Sequence, residues 1–408
     1  MRFRALVLSF LAVLVDGFDT AALSFSLPSL AHEWHATAAA FTLAIVATNA
    51  GTVVGYLAAG RLCARFGRRC VLLTGVGLFA AGTVLTAVVL PSHSLALLAV
   101  MRLVSGLGLG AVLPAAVSFA VEHFSPAYRS RVSVAVTLGL AAGATLGGFF
   151  GGKLITVLGP TGVFWLAGAA TVVVFAAMLV GLPPAVTVAV SPRGASVLRL
   201  FGSELRTNTG LLWAYSFLVF ASSYTLISWA PTLLTSYGFT RTQAPLGLAF
   251  VSLGGIIGGL VLIPVAARIG IMRALVVLPA LGVVFMLVAG AAHLSGVLLL
   301  LVLTVAGVGI IAGHIGQTAL AVALYDAGAR TTGVGWSAAL GRLGSVAGPA
   351  GAGLLLALTV PSGTILLIAT IPALVAIGCA LALWRRDRAA RITTSPAAGV
   401  VVGDTPPA

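Results

Sequence analysis

Two carboxylates, Asp16 and Asp19, interrupt the first long apolar stretch of the chain, in the run Leu14-Val15-Asp16-Gly17-Phe18-Asp19-Thr20. In a helix that starts near Ala5, Asp16 lies roughly 16 Å along the axis, close to the middle of a bilayer about 30 Å thick. A spacing of three sets both acids on one helix face, where they can share or pass a proton. An acid pair at that depth points to a proton or substrate site. A structural pair, hydrogen-bonded inside a helix bundle, is the competing reading. Two guanidinium groups are placed as unusually. Arg102 heads Arg102-Leu103-Val104-Ser105-Gly106-Leu107-Gly108-Leu109-Gly110, and at that depth it needs a carboxylate or polar partner, for which Asp16 or Asp19 is the natural candidate. Because it lies only about two turns inside its span, snorkelling to the outer surface is the alternative. Arg342 lies roughly 16 Å into its own apolar run, where only a cavity or an anion accommodates it. Its planar fork matches a carboxylate bidentately, so it is assigned to the acid group of a substrate, against a structural ion pair with one of the first-span aspartates.

The elements that position these groups follow from composition. Of 408 residues, 60% are hydrophobic and 7% charged, and the mean hydropathy is +1.16, which excludes a soluble domain and implies repeated membrane spans. A net charge of +14 and a pI near 11.3 do not imply a nucleic-acid partner, because the arginines cluster in short loops between apolar runs. Cys63, Cys70 and Cys379 have no metal-ligand spacing and cannot all pair, so free thiols are expected. The first apolar stretch follows Arg2 and Arg4, carries two acids and lacks a small-residue cleavage site, so it is expected to be retained rather than removed as a signal peptide. There is no nucleotide-phosphate loop, metal-ligand spacing or hydrolytic triad. Neither ATP-driven transport nor catalysis is expected, and no metal or cofactor.

Apolar runs bounded by Gly, Pro or Arg give twelve expected spans, near 5–30, 38–60, 70–90, 95–121, 131–157, 161–183, 208–234, 243–267, 273–293, 295–325, 331–358 and 361–384. All but four of the 22 basic residues fall at the N-terminus, in the loops after even-numbered spans or in the C-terminal tail, which makes both termini cytoplasmic. The four are Arg102, Lys153, Arg241 and Arg342; Arg241 fits an external loop and Lys153 the outer end of its span. The fold class is therefore an all-α polytopic membrane protein of twelve transmembrane helices in two pseudo-symmetric six-helix halves. Residues 1–183 form the N-terminal half, 184–207 a cytoplasmic linker, 208–384 the C-terminal half, and 385–408 a disordered cytoplasmic tail. An internal repeat supports the division: Ala64-Arg65-Phe66-Gly67 recurs as Ala267-Arg268-Ile269-Gly270, and Gly143, Gly147, Gly151 as Gly344, Gly348, Gly351. Related halves rocking about a central site are a recurring transporter design, and small residues let their helices approach closely.

The loop Gly60-Arg61-Leu62-Cys63-Ala64-Arg65-Phe66-Gly67-Arg68-Arg69 resembles the signature loop of the major facilitator superfamily. Several segments together resemble the aromatic acid:proton symporter family within it: Asp16-Gly17-Phe18-Asp19, the Arg102 run, Glu122 with Ser125-Pro126, Trp229-Ala230-Pro231-Thr232-Leu233-Leu234, Gly316-Gln317-Thr318, and Thr332-Gly333-Val334-Gly335-Trp336 leading to Gly341-Arg342-Leu343-Gly344 and Gly348-Pro349. The resemblance covers nearly all the chain up to about residue 384. It departs at Ala64 and Ala267, where the family has aspartates, in the short central linker, and at Asp326, where a proline is usual. It implies uptake of aromatic carboxylates of the benzoate or hydroxybenzoate type with protons; a cytoplasmic-membrane location and function as a monomer are expected besides. Asp16 and Asp19 would take the proton and Arg102 would tune them. Glu122 would govern a cytoplasmic gate with Gly60, Arg65, Gly67, Arg68 and Arg69, paired with Arg129 or Arg131 in place of the lost loop aspartates.

For the substrate's ring, Trp213, Phe217, Phe220 and Tyr224 share one face of the seventh span, and Trp336 and Phe18 could add to the wall; lipid contact or core packing is the alternative. His314 and Gln317, three apart, could hydrogen-bond a ring hydroxyl or serve packing equally well, while His32 and His35 are expected to be solvated at the outer mouth. Two rivals remain open at this point. An efflux antiporter is disfavoured because Gly143-Ala144-Thr145-Leu146-Gly147-Gly148-Phe149-Phe150-Gly151 lacks the proline of drug antiporters, and a sensor that binds without translocating is kept alive by the missing loop aspartates.

Overall fold

A computed structural model of the chain describes residues 2–125, 128–183, 200–202, 205–292, 294, 296–325 and 330–394, without the side chains of 64, 129–131, 134, 330–332 and 390–394. The described residues form eleven helices: α1 (Arg2–Glu33), α2 (Thr42–Phe66), α3 (Arg68–Val89), α4 (Leu95–Glu122), α5 (Arg129–Gly181), α6 (Arg206–Ser236), α7 (Pro245–Ile269), α8 (Ile271–Ala291), α9 (Gly296–Leu324), α10 (Arg330–Ala357) and α11 (Ser362–Thr394). At 53 residues, α5 would be about 80 Å long, far more than a bilayer of about 30 Å. It is broken at Gly159, whose φ of 71° only glycine adopts without strain, and Pro160 begins the second arm. The two arms supply two crossings, which brings the total to the twelve expected. All the helices except α10 contain a window long and apolar enough to span. α10 is the exception because it carries Arg342 among its glycines, and it packs against α6 and α2.

The internal repeat in the sequence corresponds to a repeat in space. Gly67 ends α2 at φ 82°, ψ 152°, and Gly270 ends α7 at φ 84°, ψ 151°. Each turns the chain tightly into the next helix in a region that residues with a Cβ avoid. In the N-terminal half α4 lies between α2 and α3, and in the C-terminal half α9 lies between α7 and α8. In the same way α1 packs along α5, and α6 along α10. A Cβ on Gly143 would strike the Leu14 carbonyl, and one on Gly344 the Phe217 carbonyl, so both seams are backbone-to-backbone contacts. The glycine parallel ends there: Gly151 faces Phe25, whereas Gly351 meets open space.

Apolar packing shows how the halves meet. At the end of the bundle away from the termini, one core holds Phe25, Leu27, Leu30 and Phe41 of the first half together with Leu226, Trp229, Leu233 and Leu248 of the second. Toward the termini there are two separate cores, one built on Val71, Phe119 and Val132, the other on Leu212, Leu275 and Leu320. The halves therefore close together at the far end and part toward the termini. At the far end α5 meets α7 through Phe149 and Phe250, ring centroids 5.7 Å apart, and α10 meets α2 where Gly353 lies against Thr42.

One boundary differs from expectation. α11 continues past residue 384 to Thr394, so the first ten residues of the expected disordered tail are helical. Arginines 385, 386 and 388 are good helix formers, and Arg386 donates to Asn208 Oδ1 at 3.0 Å. The tail from 395 and most of the linker, 184–199, lie outside the described residues.

Candidate functional site

α1 carries its two acids past α5 at a close crossing, because a Cβ on Gly17 would collide with the Leu140 carbonyl. Residues three apart differ by about 60° around a helix, and here that angle separates the acids' surroundings. Asp19 turns into the N-terminal half. Its Oδ2 lies 2.9 Å from Arg102 Nη1, both side chains fully buried, and its Oδ1 accepts a hydrogen bond from Thr83 Oγ1 at 2.9 Å. Arg102 Nε donates to Thr48 Oγ1 at 3.2 Å, Ser105 lies 3.3 Å from Thr83, and the guanidinium stands 5.9 Å from the Phe164 ring. Arg102 does not snorkel; it is sealed among α1, α2, α3 and α4 with Asp19 as its carboxylate. Thr48, Thr83, Ser105 and Phe164 were missed in the sequence because single hydroxyls and rings in apolar helices carry no distinguishing pattern.

Asp16 is not in that cluster. The residue is 5% exposed and, among the described residues, its carboxylate accepts a single long bond, 3.5 Å from Thr20, its own helix neighbour. Among the described residues no cation reaches ion-pair distance of Asp16.

Arg342 is 9% exposed. Its Nη1 donates to Tyr224 Oη at 2.7 Å, and its Cζ lies 5.1, 5.8 and 6.0 Å from the ring centroids of Tyr56, Phe220 and Tyr224. Rings at these distances stabilise a cation without neutralising it. No carboxylate among the described residues reaches ion-pair distance of Arg342. Tyr56, on α2 of the opposite half, was also missed; its only sequence signal is an aromatic ring in a glycine-flanked apolar run.

The aromatic face of α6 divides. Phe220 and Tyr224 stack on each other at 6.1 Å beside Arg342, while Trp213 stacks on Trp336 at 5.9 Å nearer the termini. Phe217 contributes its carbonyl to the crossing at Gly344. Trp336 is 42% exposed and lies six residues, roughly 9 Å, before Arg342, and Phe18 is packed edge-on to Phe25 at 6.2 Å and against Gly147 of α5. Neither of these two joins the rings around Arg342. His314 does: its ring is 3.9 Å from Phe220 and 5.7 Å from Tyr224, and its Nδ1 is buried without a hydrogen-bond partner. Gln317 is committed elsewhere, with Nε2 donating to Ser337 Oγ at 2.9 Å.

Glu122 lies at the termini end of α4, twenty residues and roughly 30 Å from Arg102, so it is remote from both first-span acids. It forms an ion pair with Arg68. The partners expected for it, Arg129 and Arg131, have side chains outside the described residues, as does Asp326. Arg65 is exposed over Phe66, Arg69 is half-buried, and Gly60 has open space around it. His32 and His35 lie at the far end, their rings 6.5 Å apart, and both are exposed as expected.

The sequence matches the family model described as Major Facilitator Superfamily over residues 9–349. It is 30% identical to a gallate transporter of Pseudomonas putida, over 96% of this chain and 93% of that protein. It is 31% identical to a 3-(3-hydroxy-phenyl)propionate transporter of Escherichia coli K12, over 93% and 94%. Among solved structures, the nucleoside transporter NupG superposes with a TM-score of 0.75 at 15% identity, covering 94% of this chain and 99% of that one, which speaks to fold alone. Twelve crossings in two repeated halves, a charged site where the halves meet and a family match over most of the length agree: the chain is a membrane transporter, not an enzyme, and belongs to the Major Facilitator Superfamily.

Proposed function

We propose that the protein imports small aromatic carboxylates together with protons across the cytoplasmic membrane, working as a monomer with both termini in the cytoplasm. The observation that carries this reading is Arg342: a nearly buried guanidinium near the middle of α10, ringed by Tyr56, Phe220 and Tyr224, with no carboxylate at ion-pair distance among the described residues. A guanidinium so placed needs an anion, and the rings beside it suit an anion attached to an aromatic ring. His314, with its unpartnered Nδ1 between the same rings, is the group that would meet a ring hydroxyl. The named substrates of these two relatives, gallate and 3-(3-hydroxy-phenyl)propionate, are both hydroxylated aromatic carboxylates and support the same class. The clustering of arginines at the termini end supports the orientation, which makes the open side cytoplasmic. Arg68 and Glu122 at that end then belong to the cytoplasmic gate.

The test is uptake of radiolabelled benzoate and 4-hydroxybenzoate into proteoliposomes, with and without an inward proton gradient. Accumulation that needs the gradient in wild type and is lost in Asp16→Asn is expected. No uptake by correctly oriented, folded protein would remove this substrate class.

A further inference from the structure

His314 sits half-buried on α9, its ring centroid 3.9 Å from Phe220 and 5.7 Å from Tyr224, both on α6, and its Nδ1 is buried without a hydrogen-bond partner. An imidazole nitrogen buried in that way is unfavourable, and a hydroxyl, which both donates and accepts, satisfies it in either tautomer. We infer, on the carrier reading above, that His314 selects among substrates by the position of the hydroxyl on the ring. It meets a hydroxyl on the flank of the ring, meta to the carboxylate, and lies too near Arg342 to meet one in the para position.

Arg342 and His314 are spaced by the same ring. Arg342 Cζ lies 5.8 Å from the Phe220 centroid and the His314 centroid 3.9 Å from it, so with the two steps laid end to end His314 is centred at most about 10 Å from Cζ. A carboxylate held bidentately lies in line with the guanidinium, and its bond to the ring continues the same axis. A para oxygen then stands roughly 10 Å from Cζ, and an imidazole bonded to its far side would be centred roughly 13 Å away, beyond the reach of His314. A meta oxygen stands roughly 9 Å from Cζ and points sideways, so a partner bonded to it is centred at about that same distance, where His314 can be. An ortho hydroxyl lies on the same flank but donates to its own carboxylate and gains less.

The spacing is held by the fold. Tyr215 Oη donates to the Gly313 carbonyl at 2.9 Å and Ser223 Oγ to the Ile310 carbonyl at 3.4 Å, which fastens α6 to α9 beside His314. Phe220 has Gly341 of α10 on another side, where a Cβ would come within 3.0 Å of its ring. Because α6, α9 and α10 pack together within the C-terminal half, the distance from Arg342 to His314 travels unchanged as the halves rock. Gln317, nearly one turn further along α9, is committed to Ser337 and does not compete for the hydroxyl.

The experiment measures how well unlabelled benzoate, 3-hydroxybenzoate and 4-hydroxybenzoate inhibit the uptake of radiolabelled benzoate into proteoliposomes, in wild type, His314→Phe and His314→Asn. In wild type, 3-hydroxybenzoate is expected to compete about two- to tenfold better than 4-hydroxybenzoate, the worth of one net hydrogen bond. His314→Phe keeps a ring against Phe220 and should abolish that ratio, while His314→Asn keeps a donor and an acceptor and should retain part of it. A merely structural role for His314 would weaken all three competitors alike and leave the ratio standing, which overturns the inference. So does a wild type that prefers 4-hydroxybenzoate or treats the two isomers equally. Either result leaves the carrier reading intact, whereas no benzoate or hydroxybenzoate flux at all through folded wild-type protein removes that reading itself. If His314→Phe takes up no benzoate, the ratio is read instead from the shifts in melting temperature that the two isomers produce in the purified variant.

Discussion

Arg102 and Asp19 face each other at 2.9 Å with both side chains fully buried, and they belong to the same half of the molecule, so the pair moves as a unit when the halves rock. Arg342 is held instead by the hydroxyl of Tyr224 in its own half and faces the ring of Tyr56 in the other, with no carboxylate among the described residues at ion-pair distance. The first arrangement suits structure and the second suits a site that must exchange partners.

Breaking the closed pair on one side should therefore be costly. Arg102→Gln leaves Asp19 as a buried, unpaired anion and is expected to destabilise the protein by about 3–5 kcal/mol. Adding Asp19→Asn removes the stranded charge and should restore most of that loss. Thermal unfolding of the detergent-solubilised single and double variants measures it; equal loss in both would mean that the pair's packing, not its charge balance, matters.

At Arg342 the shape of the cation should matter as well as its sign. Arg342→Lys keeps the charge but loses the planar fork and the reach to Tyr224, and is expected to raise KM for a monocarboxylate about a hundredfold or more. Tyr224→Phe removes one hydrogen bond from the guanidinium and should raise KM only about two- to tenfold. Initial uptake rates across a substrate series give both values, and a larger effect at Tyr224 than at Arg342 would contradict the assignment.

The glycine seams offer a matched comparison within α10. Gly344→Ala puts a methyl group into the Phe217 carbonyl and should reduce the yield of monodisperse protein sharply, while Gly351→Ala faces open space and should be within about 0.5 kcal/mol of wild type. Size-exclusion profiles and melting of the two variants test this.

Closure at the far end is open to cross-linking. With Cys63, Cys70 and Cys379 replaced, cysteines introduced at Phe149 and Phe250 should be joined readily by a short thiol cross-linker in the substrate-free protein. A reducible linker should block uptake until it is cleaved. Full uptake with the linker intact would mean that these two helices do not separate during transport.

Much of the fold was legible along the chain. Span positions followed from runs of apolar residues, and the division into halves from the repeated Ala-Arg-aromatic or aliphatic-Gly turn, because Gly67 and Gly270 must both adopt a left-handed φ that few other residues tolerate. The break at Gly159 followed in the same way, as a glycine and a proline between two apolar runs. The helical continuation to Thr394 was missed, since a basic stretch after a span reads equally well as a tail.

What the sequence determined by itself was the inventory and its depth: two acids and two arginines within apolar spans, small residues where helices cross, and aromatic rings on α6. These are properties of one helix at a time, set by spacing along the axis and by the cost of charge in hydrocarbon. Only the tertiary structure decided which charge met which. The Asp19–Arg102 pairing, the isolation of Asp16, the contribution of Tyr56 from the opposite half and the exclusion of Phe18 and Trp336 from the rings at Arg342 all depend on how each helix is rotated about its axis and where the two halves touch. The angle of about 60° between Asp16 and Asp19 belongs to any helix, but the rotation of α1 that turns Asp19 to Arg102 and leaves Asp16 without that partner is fixed by backbone contacts such as Gly17 with Leu140 and Gly143 with Leu14, which arise only when α1 and α5 are packed together.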